Sequence, residues 1–199
     1  GVSSANQLMG LLEKISVIVI GPGLGEASWG KSLISVAANA QLPQVWDADA
    51  LNQLAAGTVS LPSGSVITPH PGEAARLLGI STAEVQADRL KVARALSQKF
   101  KAVAILKGAG SLIASPDGRV SRCDQGHPAM ATAGLGDVLA GLVGALMAQG
   151  MPAYEASCLA VWLHATAGDR QGSLGRGLAA SDLIPAIRQL LEEQSPCLK

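Results

Sequence analysis

A glycine-containing turn that runs into a long apolar segment carries the residues most suited to chemistry in this chain. The turn reads Gly134-Leu-Gly-Asp137, and the apolar residues 138–146 that follow it predict a buried helix. The first turn of such a helix offers N–H groups and the positive end of the helix dipole, so the backbone around Gly134 and Gly136 can bind an anion. Such an anion would repel Asp137, which is best explained as a base that takes a proton from a hydroxyl receiving a phosphoryl group. An aspartate that only complements the helix dipole is the alternative.

Other polar residues follow apolar runs that predict strands. Asp47 and Asp49 follow one such run and could bind a metal or a substrate hydroxyl, although Asp49 could equally cap a helix. His70 stands between two prolines beyond another run, where it could contact a ligand or have only a structural role. Glu73 suits the first turn of a helix by its charge alone. Lys107 could meet a phosphate as a point charge, or it could be a solvated lysine at a strand end.

Two further glycine-rich stretches could approach a ligand. Gly21-Pro-Gly-Leu-Gly25 follows a predicted strand, and its backbone could come close to a ligand or simply form a sharp turn. Its spacing differs from the dinucleotide-binding fingerprint. Residues 172–177 form a flexible connection that could close over a nucleotide or serve only as a loop.

The elements that must position these residues alternate between strands and helices. Apolar runs predict strands at residues 16–20, 44–46, 65–68 and 102–106, and turn chemistry predicts a hairpin from 111–114 and 119–122. Helices are predicted at residues 28–40, 50–55, 135–148, 153–168 and 181–193, with two more that begin near residue 72 and after the capping box Ser81-Thr-Ala-Glu84.

Some of these helices carry a clear apolar face. The helix after residue 81 is expected to place Val85, Val92 and Leu96 on one face, and the last helix is expected to include Ile184 in its apolar stripe. The alternation of strands and helices indicates a three-layer α/β domain with a largely parallel sheet. Ligands bind beyond the carboxyl ends of such strands, where the polar residues above are expected to meet.

Composition bounds the class of protein. The 199 residues suffice for one domain with its own core, since 48% are apolar and only 15% are charged. The formal net charge is zero without a basic run, which argues against nucleic acid and anionic membranes as main partners. Cys123, Cys158 and Cys197 are odd in number and widely spaced, so neither a disulfide framework nor a zinc site is expected, and a reducing cytoplasm is the simplest setting. The apolar run 138–146 is too short to cross a bilayer.

Five motifs, taken in order, resemble one family. They are Gly21-Pro-Gly-Leu-Gly25, Trp46-Asp-Ala-Asp-Ala-Leu-Asn52, Ile67-Thr-Pro-His-Pro-Gly-Glu-Ala-Ala-Arg-Leu-Leu-Gly79, Leu106-Lys-Gly-Ala-Gly110 and Ala133-Gly-Leu-Gly-Asp-Val-Leu-Ala-Gly141. Together they are similar to the ADP-dependent NAD(P)H-hydrate dehydratases, a metabolite-repair branch of the ribokinase-like superfamily. The resemblance implies an α/β, three-layer ribokinase-like fold with a mostly parallel central sheet. It also implies that residues 1–199 form a single dehydratase domain that lacks the family's N-terminal strands.

The resemblance further implies an activity and a set of site residues. The family uses ADP, or ATP, to remove the added hydroxyl from the hydrates NADHX and NADPHX, and Mg²⁺ is expected between the nucleotide oxygens. Asp137 is the implied base, and the implied contacts of the hydrate are Gly25, His70 and Asp137. The implied nucleotide contacts are Lys107, Gly108, Ala109, Gly110, Ser111, Gly134 and Gly136. Further candidates are Asp47, Asn52 and Glu73, and no set of metal ligands is identified.

The resemblance also implies partners, and the sequence differs from the family's motifs at one position. An NAD(P)H-hydrate epimerase, fused or separate, is expected, and so is a homo-oligomer, with a tetramer suggested by the family. The family's Asn-x-x-Met-Ala is His127-Pro-Ala-Met-Ala131 here, so a ring nitrogen could replace the amide as a hydrogen-bonding group, and the role of His127 stays open. Two other functions stay open: a ribokinase-like kinase of a vitamin or sugar alcohol, and a nucleotide-binding piece without catalysis. The presence of the block 68–79 argues against the kinase.

Overall fold

A six-stranded sheet organises the part of the chain that the computed structural model describes, residues 2–195. Its strands are β1 (Ile18–Ile20), β2 (Gln44–Trp46), β3 (Val66–Ile67), β4 (Val103–Leu106), β5 (Ser111–Ala114) and β6 (Val120–Cys123). They lie in sequence order, with β1 to β4 paired in parallel and β5 and β6 antiparallel. The predicted mostly parallel sheet and its hairpin are therefore confirmed, although several strands are shorter than the apolar runs.

Helices connect and cover these strands. Within the same residues they are α1 (Val2–Leu12), α2 (Ser28–Asn39), α3 (Asp49–Ala55), α4 (Pro71–Leu78), α5 (Thr82–Ala87), α6 (Arg89–Phe100), α7 (Leu135–Ala148), α8 (Ala153–Gly172) and α9 (Leu183–Gln194). Short 3₁₀ turns at Pro128–Met130 and Ala180–Asp182 precede α7 and α9. At least one helix follows each of β1, β2 and β3 before the next parallel strand begins, as parallel pairing requires.

Two apolar clusters on opposite faces of the sheet form most of the core. One joins strand residues such as Trp46 and Leu106 to α2, α3, α4 and α6. The other joins Val45 and Ile105, which point to the opposite face, to α7 and α8. A third cluster fixes α9 against α7 and α8. Every residue of β2 and β4 is buried, as expected for parallel strands covered on both faces, so the three-layer prediction is confirmed.

Two helix starts differ from the sequence prediction. Asp49 does not cap α3 but is its first residue, and Ala48 takes the capping position without a side-chain hydrogen bond. The helix predicted after residue 81 is two helices, α5 and α6. The break occurs because Asp88 leaves the helical conformation and its carboxylate accepts the N–H of Lys91, which starts a new helix.

Other helix features follow the sequence more closely. The capping box at Ser81 is present, and α7 has the predicted bounds. In α9, the inclusion of Ile184 in the buried stripe is wrong, because this side chain is 60% exposed and Ala186 is buried instead. Cys197, one of the three cysteines considered in the sequence, lies outside the described residues. No helix within residues 2–195 is both long and apolar enough to cross a bilayer.

Candidate active site

The carboxyl ends of the parallel strands bring distant residues to one edge of the sheet. The ladder of backbone hydrogen bonds continues one step past the strands. The N–H of Asp47 donates to β1, that of Thr68 to β2, and that of Lys107 to Pro69 just beyond β3, at 2.9–3.1 Å. This register places Asp47, the turn at Pro69 and Lys107 side by side.

A nearly buried group of charges lies at this edge. Lys107 Nζ is 2.7 Å from Asp47 Oδ1 and 3.8 Å from Glu73 Oε2. The side chains of Asp47 and Glu73 are only 2% and 7% exposed, and that of Lys107 is 20% exposed. Two carboxylates with little access to water require a nearby cation. Lys107 is therefore held in an ion pair and is not the solvated strand-end lysine that the sequence left as an alternative.

His70 begins α4 and takes part in its capping. Its Nδ1 accepts the N–H groups of Gly72 and Glu73 at 3.0 Å and 3.3 Å, and Glu73 Oε2 accepts the N–H of His70 at 2.7 Å. The histidine thus occupies the place that serine or threonine takes in most capping boxes. Because Nδ1 accepts, the proton of the neutral ring lies on Nε2. Nε2 lies 3.5 Å from Glu73 Oε1, and the side chain is half-exposed, so His70 presents this N–H group at the edge of the sheet beside the Glu73 carboxylate.

The backbone between the two aspartates is strained. Ala48 has φ 47° and ψ −119°, a conformation that residues with a Cβ rarely adopt. On one side of this kink Asp47 joins the ion pair, and on the other Asp49 Oδ2 accepts the N–H of Gly25 at 2.8 Å. Gly21 lies so close to the Asp47 carbonyl that a Cβ would be 1.7 Å from its oxygen. The first glycine-rich turn is therefore fastened to the residues that follow β2.

The N-terminus of α7 lies against the ion pair. Gly134 is the N-cap residue, with φ 84°, and a Cβ on Gly136 would lie 3.2 Å from Lys107 Nζ and 3.5 Å from Asp47 Oδ2. Asp137, in the same first turn, is exposed, and no residue between 2 and 195 pairs with its carboxylate. The first turn of α7 thus carries unpaired amide donors and an open carboxylate, and the Lys107 ammonium lies beside Gly136 of the same turn. This arrangement can hold a phosphoryl group and accept a proton.

His164 of α8 contacts the same turn, and no motif in the sequence marks it. Its side chain is buried, and its Nε2 lies 2.9 Å from the carbonyl oxygen of Leu135. Burial lowers the pKa of His164 against the opposing effect of the hydrogen bond to Leu135, and the nearby charge of Lys107 lowers it further. The ring is therefore neutral at pH 7, and its N–H donor holds the first turn of α7 in place.

Residues 107–111 form a turn whose carbonyl groups are held on one side. Arg89 Nη2 donates to the carbonyl oxygens of residues 106, 107 and 110 at 3.3–3.4 Å, and Ser111 Oγ donates to that of Gly108 at 3.0 Å. The N–H groups of residues 108–110 donate to no backbone acceptor in the described part of the chain. Gly108 and Gly110, with φ 141° and 67°, allow this shape. Successive unpaired amides of this kind form a concavity suited to an anion.

The segment that leads into α7 rests on two glycines of α8. A Cβ on Gly168 would lie 2.1 Å from Met130 Sδ, and one on Gly172 would lie 2.4 Å from the ring of His127. His127 Nδ1 accepts the N–H of Ala129 at 3.1 Å and so caps the 3₁₀ turn. A ring nitrogen of His127 thus takes part in a hydrogen bond, as an acceptor. It is a local bond to the backbone, of the kind that an asparagine side chain also makes.

The structure brings most of the predicted site residues together, but not all. A connected cluster is formed by Asp47, His70, Glu73, Lys107 and Gly136. Gly25 is linked to this edge through Asp49, whereas Asn52 makes no side-chain hydrogen bond within residues 2–195. No group of three or more metal-binding side chains occurs in that part of the chain. The sequence missed Ala48, Arg89 and His164, because strain and carbonyl contacts leave no motif.

Comparison with known sequences identifies relatives. The family described as NAD(P)H-hydrate dehydratase matches residues 2–198. The chain is 45% identical over 192 residues to the bifunctional NAD(P)H-hydrate repair enzyme of Coxiella burnetii, a match that covers 96% of this chain and 39% of that protein. It is 43% identical over 182 residues to the ADP-dependent (S)-NAD(P)H-hydrate dehydratase of Neisseria meningitidis, covering 87% and 62% respectively. The chain thus spans less than two thirds of the length of these relatives.

Solved structures are similar in fold. A ribokinase-like superfamily protein from Enterococcus faecalis matches with a TM-score of 0.88 and 26% identity, over 98% of this chain and 69% of that one. The ADP/ATP-dependent NAD(P)H-hydrate dehydratase of Bacillus subtilis, co-crystallised with ATP and Mg²⁺, matches with a TM-score of 0.78 and 28% identity, over 89% and 64%. The expected ribokinase-like fold is confirmed. Taken with the site geometry, these matches show that the chain belongs to the NAD(P)H-hydrate dehydratase family.

Proposed function

We propose that this domain uses an adenine nucleotide, ADP or ATP, to dehydrate NADHX and NADPHX and so restores NADH and NADPH. The observation that carries the proposal is the first turn of α7. There the exposed Asp137 follows Gly136, beside which the Lys107 ammonium lies. The names of the relatives from Coxiella burnetii and Neisseria meningitidis support the same reaction.

The first proposed step is phosphoryl transfer. Asp137 accepts the proton of the hydrate hydroxyl while that oxygen attacks the terminal phosphorus of the nucleotide. The bridging P–O bond breaks, and ADP leaves as AMP. The amides around Gly134 and Gly136 hold the phosphoryl oxygens during transfer, and the Lys107 ammonium offsets their charge.

The second proposed step is elimination of phosphate. The C–O bond breaks, and its electron pair leaves with the phosphate. The lone pair of the ring nitrogen stabilises the electron-poor carbon that remains, and transfer of a proton from the neighbouring carbon to the departing phosphate completes the new double bond. This sequence restores the dihydropyridine and requires no redox partner.

Other residues are proposed to hold the two reactants. The unpaired amides at Gly108, Ala109 and Gly110, together with Lys107 and Ser111, suit the nucleotide. The Nε2 donor of His70 and the backbone of Gly25 are proposed to contact the hydrate.

Mg²⁺ fits the carboxylates at this edge. Asp47 and Glu73 already converge on one cation, the Lys107 ammonium. Mg²⁺ commonly takes one or two protein carboxylates and completes its shell with phosphate oxygens and water, so these two residues would hold it. When bound, Mg²⁺ supplies charge neutralisation on the nucleotide oxygens.

We also propose partners and a setting. An NAD(P)H-hydrate epimerase, fused or separate, would supply the hydrate, as the bifunctional name of the Coxiella burnetii relative suggests. A homo-oligomer, specifically a tetramer, is proposed from the family resemblance. The free thiols of Cys123 and Cys158 fit a reducing cytoplasm.

A direct assay tests the reaction. The protein is mixed with ADP, Mg²⁺ and NADHX, and the near-ultraviolet absorbance of the regenerated dihydronicotinamide is followed. Regeneration with release of AMP and phosphate is the expected result. A stable phosphorylated product from ATP and a vitamin or sugar alcohol, without any NADH formation, would instead establish the kinase alternative.

Replacing the base tests the assigned role of Asp137. Asp137→Asn should lower kcat by about 10²-fold or more, since general base catalysis contributes about 10²–10⁴. ADP affinity should hold or rise, because a negative charge leaves the anion site. Asp117→Asn, at an exposed aspartate in the β5–β6 turn, is the matched control and should keep the wild-type rate. A wild-type kcat in Asp137→Asn would remove this residue from the mechanism.

A further inference from the structure

The turn at residues 107–111 is held by a cation that the proposed reaction does not use. Arg89 Nη2 lies 3.3 Å from the carbonyl oxygen of Leu106 and 3.4 Å from those of Lys107 and Gly110. A Cβ on Gly108 would be 2.9 Å from Arg89 Nη1, so the guanidinium lies directly against the backbone of this glycine. One side chain therefore contacts the turn along most of its length.

The charge of Arg89 is balanced in an unusual way. No carboxylate within residues 2–195 forms an ion pair with it, whereas the neighbouring Arg122 pairs with Asp124. Partial burial lowers the pKa of Arg89, and the charge of Arg122 lowers it further. Carbonyl dipoles of the turn, with the amide oxygen of Gln86 3.4 Å from Nη1, thus stabilise this guanidinium in place of an acidic side chain.

The orientation of the turn follows from these contacts. The carbonyl groups of residues 106, 107 and 110 point toward Arg89, and Ser111 holds that of Gly108. A peptide unit that points its carbonyl group one way points its N–H group the other way. The N–H group of residue 108, which belongs to the peptide unit of the Lys107 carbonyl, is therefore directed away from Arg89, and that of residue 109 is directed away from the Ser111 hydroxyl.

We propose that Arg89 is a positioning residue for nucleotide binding, which together with Ser111 fixes the amides of residues 108 and 109 in the orientation that an anionic ligand needs. The inference rests on the proposed function, because it takes this turn as the nucleotide site. Arg89 itself touches no nucleotide in this role. A lysine cannot replace it, since a single ammonium group lacks the planar fork that spans several carbonyl groups.

The test measures binding of ADP with Mg²⁺ by calorimetry in the wild type and three variants. Arg89→Met and Arg89→Lys should both raise the Kd for ADP by about tenfold or more, as expected when hydrogen bonds from a charged group are lost. Arg94→Gln, at an exposed arginine of the same helix, is the matched control and should bind ADP like the wild type. The KM for NADHX and the kcat at saturating ADP should change far less than the KM for ADP.

Chemical rescue separates positioning from a general loss of structure. Added guanidinium should restore much of the ADP affinity of Arg89→Gly, whereas added ammonium should not. Wild-type ADP affinity in both Arg89→Lys and Arg89→Met would overturn the proposal, and so would an equal loss of ADP and NADHX binding. Because the measurement is binding of ADP, it stands even if the wild type fails to convert NADHX, a result that would refute the proposed function alone.

Discussion

Two ion pairs of equal length have opposite surroundings in this molecule. Lys107 Nζ lies 2.7 Å from Asp47 Oδ1 at the carboxyl edge of the parallel strands, and Arg119 Nη1 lies 2.7 Å from Glu155 Oε1 beside the β5–β6 hairpin. The Asp47 side chain is 2% exposed, whereas those of Arg119 and Glu155 are 50% and 48% exposed. The charges of the first pair are largely shielded from water and interact mainly with other charged groups of the protein. Water solvates both charges of the second pair.

Distance alone therefore does not indicate what an ion pair contributes to stability. Exposed pairs contribute little, because water already solvates both charges. Removal of one partner from a buried pair leaves an uncompensated charge in a poorly solvated place. Backbone packing differs between the two places in the same way. Gly21, at the carboxyl edge of the parallel strands, is tightly enclosed, whereas Gly118, in the hairpin turn, has open space around it. We expect the edge to be intolerant of change and the hairpin to be tolerant.

The largest expected effect comes from a single added methyl group. Gly21→Ala should lower the free energy of unfolding by about 4 kcal/mol or more, in the range of the most disruptive substitutions, because its Cβ would meet the Asp47 carbonyl oxygen at 1.7 Å. Gly118→Ala is the control, since its positive φ is also unfavourable but no atom lies within 4 Å of the added Cβ. Chemical denaturation of both variants tests the difference. Equal losses of stability would show that the close contact does not matter.

Neutralising one carboxylate at each place should sharpen the contrast between the buried edge and the exposed hairpin. Asp47→Asn should lower the free energy of unfolding by about 3 kcal/mol, at the lower end for buried pairs because Lys107 is partly exposed. Asp117→Asn removes a carboxylate 2.8 Å from Arg119 Nε and should leave stability nearly unchanged. The same denaturation measurement applies. If Asp47→Asn were as stable as Asp117→Asn, burial would not explain the difference between the two sites.

Acidification should weaken the edge through His164. Burial lowers the pKa of His164 below its ordinary value of 6.5, so the unfolded chain binds a proton that the native ring does not. The stabilising effect of the neutral ring is complete above about pH 6.5 and is lost as pH falls toward the lowered native pKa. Stability measured against pH should therefore fall more steeply in the wild type than in His164→Gln. Identical slopes would exclude His164 as the cause.

The smallest expected effect is a gain in stability. Ala48→Gly should raise the free energy of unfolding by about 1 kcal/mol, since relief of backbone strain of about 1–3 kcal/mol exceeds the entropic cost of glycine. Ala145→Gly, at an exposed position within α7, should instead lower it by about 1 kcal/mol. Thermal unfolding of both variants gives the sign. A loss of stability in Ala48→Gly would mean that the kink carries no strain.

The fold was largely predictable because its signals are local. Apolar runs such as 102–106 indicate buried strands, and the apolar stretch that begins at Leu135 gave α7 its correct bounds. The break at Asp88 was not predictable, because neither glycine nor proline marks it and an aspartate tolerates a helix interior or a cap. Ile184 was misassigned because the buried positions of α9 are spaced by three and four residues, and Ala186, the small residue that completes this stripe, gave a weaker apolar signal than Ile184.

The candidate site was less predictable because its contacts are distant in sequence. Asp47 and Lys107 are 60 residues apart, and they meet only through the register of the parallel strands. Sequence could place each at a strand end, but it could not show that they form a pair. The strain at Ala48 and the contact of His164 with Leu135 depend on tertiary structure alone. The residue types therefore indicated the chemistry, and the structure was needed for the connections.

The two glycines of α8 that receive His127 and Met130 affect how sequence variation in this domain should be interpreted. Gly168 and Gly172 are not among the proposed ligand contacts, yet a side chain at either one would displace the segment that leads to Gly134. Variants at these glycines are expected to lose turnover while every proposed contact residue stays unaltered. In a genetic screen they would be mistaken for active-site damage, although their effect comes from added bulk at a distance.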